Sequence, residues 1–261
     1  MKKIVIVMPY FDRQYQLDKT LSTIAQSKHK NFSVVIVDDG SPEKIVLSEA
    51  YSFPIIKIRL EKKCWTNCSP IWNFGFNAAL ELEPDAILLQ SAEIYHVGDV
   101  LTHIDQNLTD DNYLAYGCFQ IDKETTFKEH DIMALSKACD YKVTTGNNGN
   151  GQTAWWNHSV YGRLPQYWGC AITAKNLIKI NGIDERFADG YAIEDGYFVW
   201  QVEKLGLNIE IIDYPFVVHQ WHSREYPPDV PGLVKKNKEL YESLILQEDY
   251  RSKHTITPDL K

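Results

Sequence analysis

The sequence predicts a single α/β domain in which helices flank a mostly parallel central sheet. Unbroken apolar runs at residues 4–8, 32–37 and 86–89 are typical of strands that are buried on both faces. Residues 17–25 instead carry apolar side chains three and four positions apart, which is the spacing of an amphipathic helix. Strand and helix patterns alternate along most of the chain, and this alternation favours a parallel sheet wrapped by helices.

The elements can be placed in chain order. Strands are expected at residues 4–8, 32–37, 55–60 and 86–89, and helices at 17–25, 71–82 and 96–107, with Pro42 in the first turn of a further helix. Residues 144–162 are rich in glycine, asparagine and aromatic rings, which predicts a long binding loop or lid. Regular patterning resumes at Ala171 and ends with a polar helix at 233–246.

Composition narrows the functional class. The 261 residues include 27 Lys and Arg against 35 Asp and Glu, a net charge of −8, so a nucleic-acid binder is disfavoured. No apolar run approaches the ~20 residues of a membrane span, and the N-terminus is a poor signal peptide. Five cysteines without paired spacing indicate reduced thiols. These features together favour a cytoplasmic protein whose oligomeric state stays open.

Acidic residues follow two of the predicted strands, and ligands of such sheets bind beyond the carboxyl ends of the strands. Asp38 and Asp39 precede Gly40, so their carboxylates can accept hydrogen bonds from a base and a ribose; helix capping by Asp39 or Ser41 is the alternative. Glu93 follows the fourth strand and can reach a divalent metal ion, although a solvated loop glutamate would look the same.

Two further groups stand in the second half of the chain. Glu194 and Asp195 begin a helical stretch. Paired acids there can supply a general base, or they can be present only because the helix dipole stabilises negative charge at a helix N-terminus. His219 and His222 can offer two nitrogens to one metal ion, or serve a structural role. Neither a GxSxG motif nor a phosphate-binding P-loop is present, so nucleophilic catalysis and P-loop chemistry have little support.

Taken in order, these motifs resemble nucleotide-sugar glycosyltransferases of the Rossmann-like GT-A fold, in the family-2-like superfamily. The segments MPYFDR and VVIVDDGS, with the acid after the fourth strand, resemble the family-2 nucleotide-binding half. The later stretch YWGCAITAKNLIKINGIDERFADGYAIEDG, followed by HQWHSR, is similar to the C-terminal domain of β-1,4-galactosyltransferases. The resemblance implies a nucleotide-binding half at 1–110, an acceptor and catalytic half at 111–225 and a C-terminal helical tail at 226–261.

The resemblance also implies roles for individual residues. Asp195 would be the general base and Glu194 would bind the acceptor, while Glu93, His219 and His222 would hold Mn²⁺ or Mg²⁺. The expected nucleotide contacts are Pro9, Tyr10, Asp12, Asp38 and Asp39, and Trp168 and Gly169 would lie beside the sugar. The family's basic residue near the diphosphate is not evident at 64–77, where Asn73 and Asn77 are expected as polar contacts instead. The composition of the loop at 144–162, and not the resemblance, indicates Trp155 and Trp156 as acceptor contacts. The donor would be a nucleotide sugar, with UDP as the expected nucleotide, and the acceptor a glycan or a lipid-linked glycan.

One departure from the family pattern bears on the metal. The acidic DxD motif reads Ser91-Ala92-Glu93, so its first acid is missing, and metal independence stays open. Two other readings remain. A nucleotidyltransferase would need a glycine-rich basic loop after the first strand, which MPYFDRQYQ does not provide. A non-catalytic carbohydrate-binding or nucleotide-binding protein on the same fold would be consistent with the missing acid.

Overall fold

A mixed sheet of nine strands organises the part of the chain that the computed structural model describes, residues 1–142, 151–224 and 226–261. The spatial order is β3-β2-β1-β4-β8-β6-β9-β5, with β7 paired to β6. Strands β3, β2, β1 and β4 are mutually parallel, whereas β8 joins β4 and β6 in antiparallel orientation. Helices lie on both faces of this sheet, so the predicted fold class is confirmed.

The strands and helices have the following bounds. The strands are β1 Ile4–Tyr10, β2 Phe32–Asp38, β3 Ile55–Arg59, β4 Ala86–Leu89, β5 Ile94–Val97, β6 Asn112–Gln120, β7 Ala154–Asn157, β8 Cys170–Thr173 and β9 Asn208–His219. The helices are α1 Gln14–Ala25, α2 Ser69–Leu80, α3 Val100–Asn107, α4 Lys123–Phe127, α5 Ile132–Ala138, α6 Ala174–Ile180, α7 Glu194–Lys204 and α8 Val230–Leu246. A 3-10 turn spans Glu185–Phe187.

Two hydrophobic cores lie on opposite faces of the sheet because alternate residues of a strand point to opposite sides. From β1, Ile4, Ile6 and Met8 pack with α1 and α3, whereas Val5 and Val7 pack with α2, α6 and α7. All five of these side chains are fully buried. The unbroken apolar run of β1 is therefore explained by a strand that is covered on both faces.

Three predicted elements differ from the structure. No helix follows Pro42; that segment is fastened instead by Arg59, which donates to the carbonyl oxygens of Ser41 and Glu43. His96 belongs to strand β5, so the predicted helix at 96–107 begins only at Val100. Of the predicted loop at 144–162, residues 144–150 lie outside the described residues, and the remainder contains strand β7.

The C-terminal residues 252–260 pack against the turn that follows α6. Glu185, which is buried, accepts hydrogen bonds from the backbone N–H groups of Thr255, Ile256 and Thr257 and from the Asn73 side chain in α2. The Asn181 side chain binds the same C-terminal segment through the Ser252 carbonyl and the Leu260 N–H. One carboxylate therefore joins α2, the 3-10 turn and the C-terminal segment.

Replacing Glu185 by glutamine is expected to destabilise the protein by about 2 kcal/mol, because an amide NH₂ would face N–H donors that now have an acceptor. Urea-induced unfolding followed by circular dichroism measures this change. Glu239→Gln, at an exposed position on α8, is the matched control and should leave the unfolding free energy nearly unchanged. Equal stability of the two variants would show that the Glu185 hydrogen bonds contribute nothing.

Candidate active site

A cavity of about 500 Å³ opens at the carboxyl ends of β1, β2 and β4. Pro9 and Tyr10 end β1 at this cavity, and Asp12 follows that strand. Asp39 follows β2, and Glu93 follows β4. The second half of the chain closes the other side with residues from the segments at 167–168, 191–195 and 219–224. The cavity thus lies where a sheet of this kind binds its ligands.

One carboxylate and two imidazoles meet at this cavity. The Glu93 Oε1 atom lies 3.7 Å from Nε2 of His219 and 3.6 Å from Nε2 of His222. The Arg13 guanidinium makes an ion pair with the same oxygen at 2.7 Å. The side chains of Glu93, His219 and His222 are all buried, so the cluster is a compact group of potential ligands.

The protonation states of this cluster suit a cation. Burial by itself raises the pKa of Glu93, but the Arg13 guanidinium and the two histidines lower it to about 2. Burial lowers the pKa of His219 to about 3 and that of His222 to about 4, so both imidazoles are neutral at neutral pH. An ionised carboxylate with two neutral imidazoles is a donor set that Mn²⁺ can accept.

Unpaired atoms in the cluster provide a test of whether a metal fits. Among the described residues, the buried Glu93 Oε2 and His219 Nδ1 atoms have no hydrogen-bond partner. Possible ligand atoms of Glu93, His219 and His222 all lie within 4.8 Å of one another. The residues present therefore fit a divalent metal ion, and Arg13 pairs with the same carboxylate.

The acid pair lies at the start of α7, on a turn with unusual backbone geometry. Ala192 and Ile193 have φ angles of 56° and 78°, in the left-handed region that a β-branched residue rarely adopts. The Asn237 side chain of α8 holds this turn by donating to the carbonyl oxygens of Ala192 and Phe187. Helix α8 therefore supports the turn that presents Glu194 and Asp195 to the cavity.

The two acids differ in their surroundings. The Tyr167 hydroxyl donates to Glu194 Oε1 at 2.8 Å, and burial raises the pKa of Glu194. Burial and the neighbouring charge of Glu194 raise the pKa of Asp195 to about 7. A carboxylate with a pKa near neutrality is suited to accept a proton in catalysis.

Aromatic rings line the cavity next to the cluster. The Trp156 ring stacks on the His219 ring, with centroids 5.3 Å apart and an interplanar angle of 13°. Trp168 meets the edge of Trp156 at a centroid distance of 4.3 Å. Both tryptophans line the cavity and present apolar surface there, and Trp156 orients His219.

The DDGS turn after β2 places one acid at the cavity and uses the other internally. Asp39 lines the cavity and pairs with Lys63 at 2.8 Å, whereas Asp38 accepts from the Ser41 N–H and from Arg59. Gly40 has a φ angle of 75°, and a Cβ atom there would lie 2.3 Å from the Lys62 carbonyl carbon. Glycine is required because the chain that carries Lys63 passes this close.

Five residues expected at the site do not line the cavity. Asp38 is buried with Arg59, Gly169 packs against Val217, and Trp155 is in the core against Phe119 and Phe216. Asn73 binds the Ile183 carbonyl and Glu185, and Asn77 binds the Pro258 carbonyl. Asn73 and Asn77 lie one turn apart on α2, and their amides join α2 to later parts of the chain, a role that the residue type alone does not indicate.

The expected residues that do line the cavity are Pro9, Tyr10, Asp12, Asp39, Glu93, Trp156, Trp168, Glu194, Asp195, His219 and His222. Sequence reasoning missed Arg13, Lys63, Tyr167 and Arg224, which line the same cavity. Arg13 stands directly after Asp12 in the MPYFDR motif, and Arg224 ends HQWHSR, so both had a local signal. Lys63 lies in a loop that contains no recognisable sequence motif, and only its ion pair with Asp39 identifies it as a residue of the site.

Comparison with known proteins places the chain in a family. The family model described as glycosyl transferase family 2 matches residues 5–153, more than half of the chain. The protein therefore belongs to glycosyl transferase family 2, as the N-terminal motifs predict. The match ends at residue 153, so the resemblance of residues 165–225 to the β-1,4-galactosyltransferases stays a prediction.

Similar proteins are related over a part of their length. A Haemophilus influenzae protein described as an uncharacterized glycosyltransferase is 39% identical over 56 residues, which are 22% of this chain and 19% of that protein. The crystal structure of S. aureus TarS covers 94% of this chain and 40% of its own, with a TM-score of 0.56 and 16% identity. The crystal structure of S. aureus TarS 1-349 in complex with UDP covers 94% of this chain and 65% of its own, with a TM-score of 0.58 and 13% identity. At these identities the two structures show a shared fold, and this chain spans less than two thirds of each.

Within the described residues, no helix is both long and apolar enough to cross a bilayer.

Proposed function

We propose that the protein is an inverting glycosyltransferase that moves a sugar from a nucleoside diphosphate sugar to an acceptor hydroxyl. One observation carries the proposal: the acid pair and the Glu93, His219 and His222 cluster, from distant parts of the sequence, face one cavity. A base and a cation-binding group are the two chemical functions that this transfer requires. Membership of glycosyl transferase family 2 supports the same reaction.

The nucleotide is proposed to lie along β1 and β2. Pro9, Tyr10, Asp12 and Asp39 line that side of the cavity and offer an aromatic ring and carboxylate oxygens to a base and a ribose. UDP is the proposed nucleotide, by the resemblance and because a structural neighbour, TarS 1-349, was crystallised with UDP. Lys63 and Arg13 line the same cavity and provide positive charge for the diphosphate.

The transfer step is proposed as a direct displacement at the anomeric carbon. The acceptor oxygen forms its bond to that carbon as the bond to the diphosphate oxygen breaks, and the leaving nucleoside diphosphate keeps the electron pair. The Asp195 carboxylate takes the acceptor proton, and Glu194, oriented by Tyr167, binds the acceptor. Glu93, His219 and His222 would hold Mn²⁺ or Mg²⁺, which supplies positive charge for the leaving group when it is bound.

The acceptor is proposed to be a glycan or a lipid-linked glycan. Trp156 and Trp168 line the cavity and offer ring surfaces against which a sugar can pack. Ser91 stands where the DxD motif has its first acid, so the cluster contains a single carboxylate, that of Glu93. We propose that the imidazoles of His219 and His222 take the place of the missing acid.

Nucleotide binding can be tested without knowledge of the sugar. Thermal-shift titrations with UDP, GDP, CDP and dTDP, each with and without Mn²⁺, are expected to show stabilisation by UDP that increases with Mn²⁺. A hundredfold excess of ligand over Kd stabilises a protein by about 2.7 kcal/mol, which is a readily measured shift. Stabilisation by UDP that is equal with and without Mn²⁺ would show that Glu93, His219 and His222 do not bind the metal ion. Absence of stabilisation by all four nucleotides would contradict the proposed function.

A further inference from the structure

A second cavity, of about 560 Å³, lies on the other side of the segment that carries the two histidines. Tyr15 and Lys19 of α1 form one wall, residues 125–132 of α4 and α5 form the other, and Tyr95, Ile121 and Gln220 form the floor. Gln220 lines this cavity, while its neighbours in the sequence, His219 and His222, line the candidate active site. The proposed reaction uses none of these cavity residues.

Exposed aromatic rings stand at this cavity. The Tyr15 and Phe127 side chains are 52% and 47% exposed, and their ring centroids lie 4.9 Å apart. Large apolar rings in contact with each other and with solvent retain unburied hydrophobic surface, which a ligand can cover. The Tyr15 hydroxyl donates to the Thr126 carbonyl, so this ring is held in place.

Polar groups without partners lie at the floor. The Tyr95 side chain is 6% exposed, and its hydroxyl makes no hydrogen bond with any described residue. Gln220 is 1% exposed; its amide nitrogen donates to the carbonyls of Gln16 and Glu93, while its side-chain oxygen has no such partner within the described ranges. Both residues line the cavity, so these two oxygens can bond to a ligand there.

The charges around the cavity favour a neutral ligand. The two lysines, Lys19 and Lys128, are balanced by two acids, Glu129 and Asp131. Lys19 lies 5.6 Å from the Tyr95 ring centroid and makes no ion pair with a described carboxylate, so its N–H groups can donate. Donors, acceptors and ring faces without a net charge match a ligand that carries hydroxyl groups on one side and C–H groups on the other.

We propose that this second cavity is a carbohydrate-binding site for a neutral sugar ring, separate from the candidate active site. The sugar's C–H face packs on Tyr15 and Phe127, while its hydroxyls bond with Tyr95, Gln220 and Lys19. The proposal goes beyond the transfer reaction, since binding here needs neither nucleotide nor metal. A glycan held in this site lies beside the segment of His219 and His222.

Ligand-observed saturation-transfer NMR tests the proposal with the methyl glycosides of glucose, galactose, mannose and N-acetylglucosamine, in the absence of nucleotide and metal. We expect at least one glycoside to receive saturation in the wild type and in Asp195→Asn. The double variant Tyr15→Ala/Phe127→Ala should weaken this binding about tenfold, because two ring contacts are lost. Tyr250→Ala, at a residue that is 45% exposed and away from both cavities, should bind like the wild type.

Two results would overturn the proposal: no saturation of any glycoside, or unchanged saturation in the double variant. Melting temperatures show whether the variants are folded, and the single variant Phe127→Ala gives the same comparison if the double variant is unstable. The assay contains no nucleotide, so its failure is distinct from failure of the proposed transferase, which the UDP titration decides.

Discussion

Asp195→Asn is expected to reduce sugar transfer by about 10²–10⁴-fold while binding of UDP is retained. Asparagine has nearly the same shape but cannot accept the acceptor proton, so only the chemical step is affected. The measurement is release of UDP from a UDP-sugar with acceptor, alongside thermal-shift titration with UDP. Asp189→Asn, at an exposed position close in sequence, is the matched control and should transfer like the wild type.

The pH dependence gives this prediction a second measurement. Because burial and the charge of Glu194 raise the pKa of Asp195 to about 7, transfer by the wild type should rise with pH up to neutrality. Stability should move in the opposite direction. A carboxyl group whose pKa is higher in the folded state loses its stabilising contribution as pH rises from its unfolded pKa towards 7. The melting temperature of the wild type should therefore fall relative to that of Asp195→Asn as the pH rises over this range.

A transfer rate in Asp195→Asn equal to that of the wild type would exclude Asp195 as the base. If wild type and variant were both inactive with every donor yet bound UDP, the non-catalytic alternative on this fold would be supported. That alternative otherwise has only the missing first acid of the DxD motif in its favour.

Glu93→Gln is expected to abolish the Mn²⁺-dependent part of the UDP stabilisation and to lower transfer about a hundredfold. The substitution removes the cluster's one negative charge and leaves two neutral imidazoles beside Arg13. A divalent cation has little reason to bind there once the carboxylate is gone. Thermal shifts with UDP, with and without Mn²⁺, measure the first effect separately from activity.

The control for this variant is Glu43→Gln, an exposed glutamate outside the cavity, which should keep the full response to Mn²⁺. Stabilisation by UDP and Mn²⁺ that is equal in Glu93→Gln and the wild type would place the metal elsewhere. Since Arg13 also loses its partner, a modest loss of stability without ligand is expected in Glu93→Gln and does not bear on the metal.

The sequence predicts those parts of the fold and site that local patterns encode. The apolar runs of β1, β2 and β4 are each covered on both faces, so their periodicity identified them. The candidate acids and histidines were found because each lies next to an element boundary in a recognisable motif. That the structure gathers Glu93, His219 and Asp195 at one cavity agrees with the predicted topology, although their roles remain proposals.

The features that the sequence does not predict depend on tertiary contacts. Trp155 and Trp156 are adjacent in a strand, so one faces the core and the other the cavity, and composition alone could not tell which. The left-handed backbone at Ile193 is held by Asn237, which is 44 residues further along the chain. Such distant partners leave no local pattern.

The Glu185 junction has a consequence for the order of folding. The 3-10 turn at Glu185 is joined to Asn73, 112 residues earlier in the chain, and to Thr255, 70 residues later. Contacts between such distant residues form only after the intervening chain has been closed into a loop. A chain that has been made only as far as α8 has the Asn73 donor but still lacks the backbone N–H groups of residues 255–257 that bind Glu185. The Glu185 junction is therefore completed only when residues 255–257 join Glu185 and Asn73.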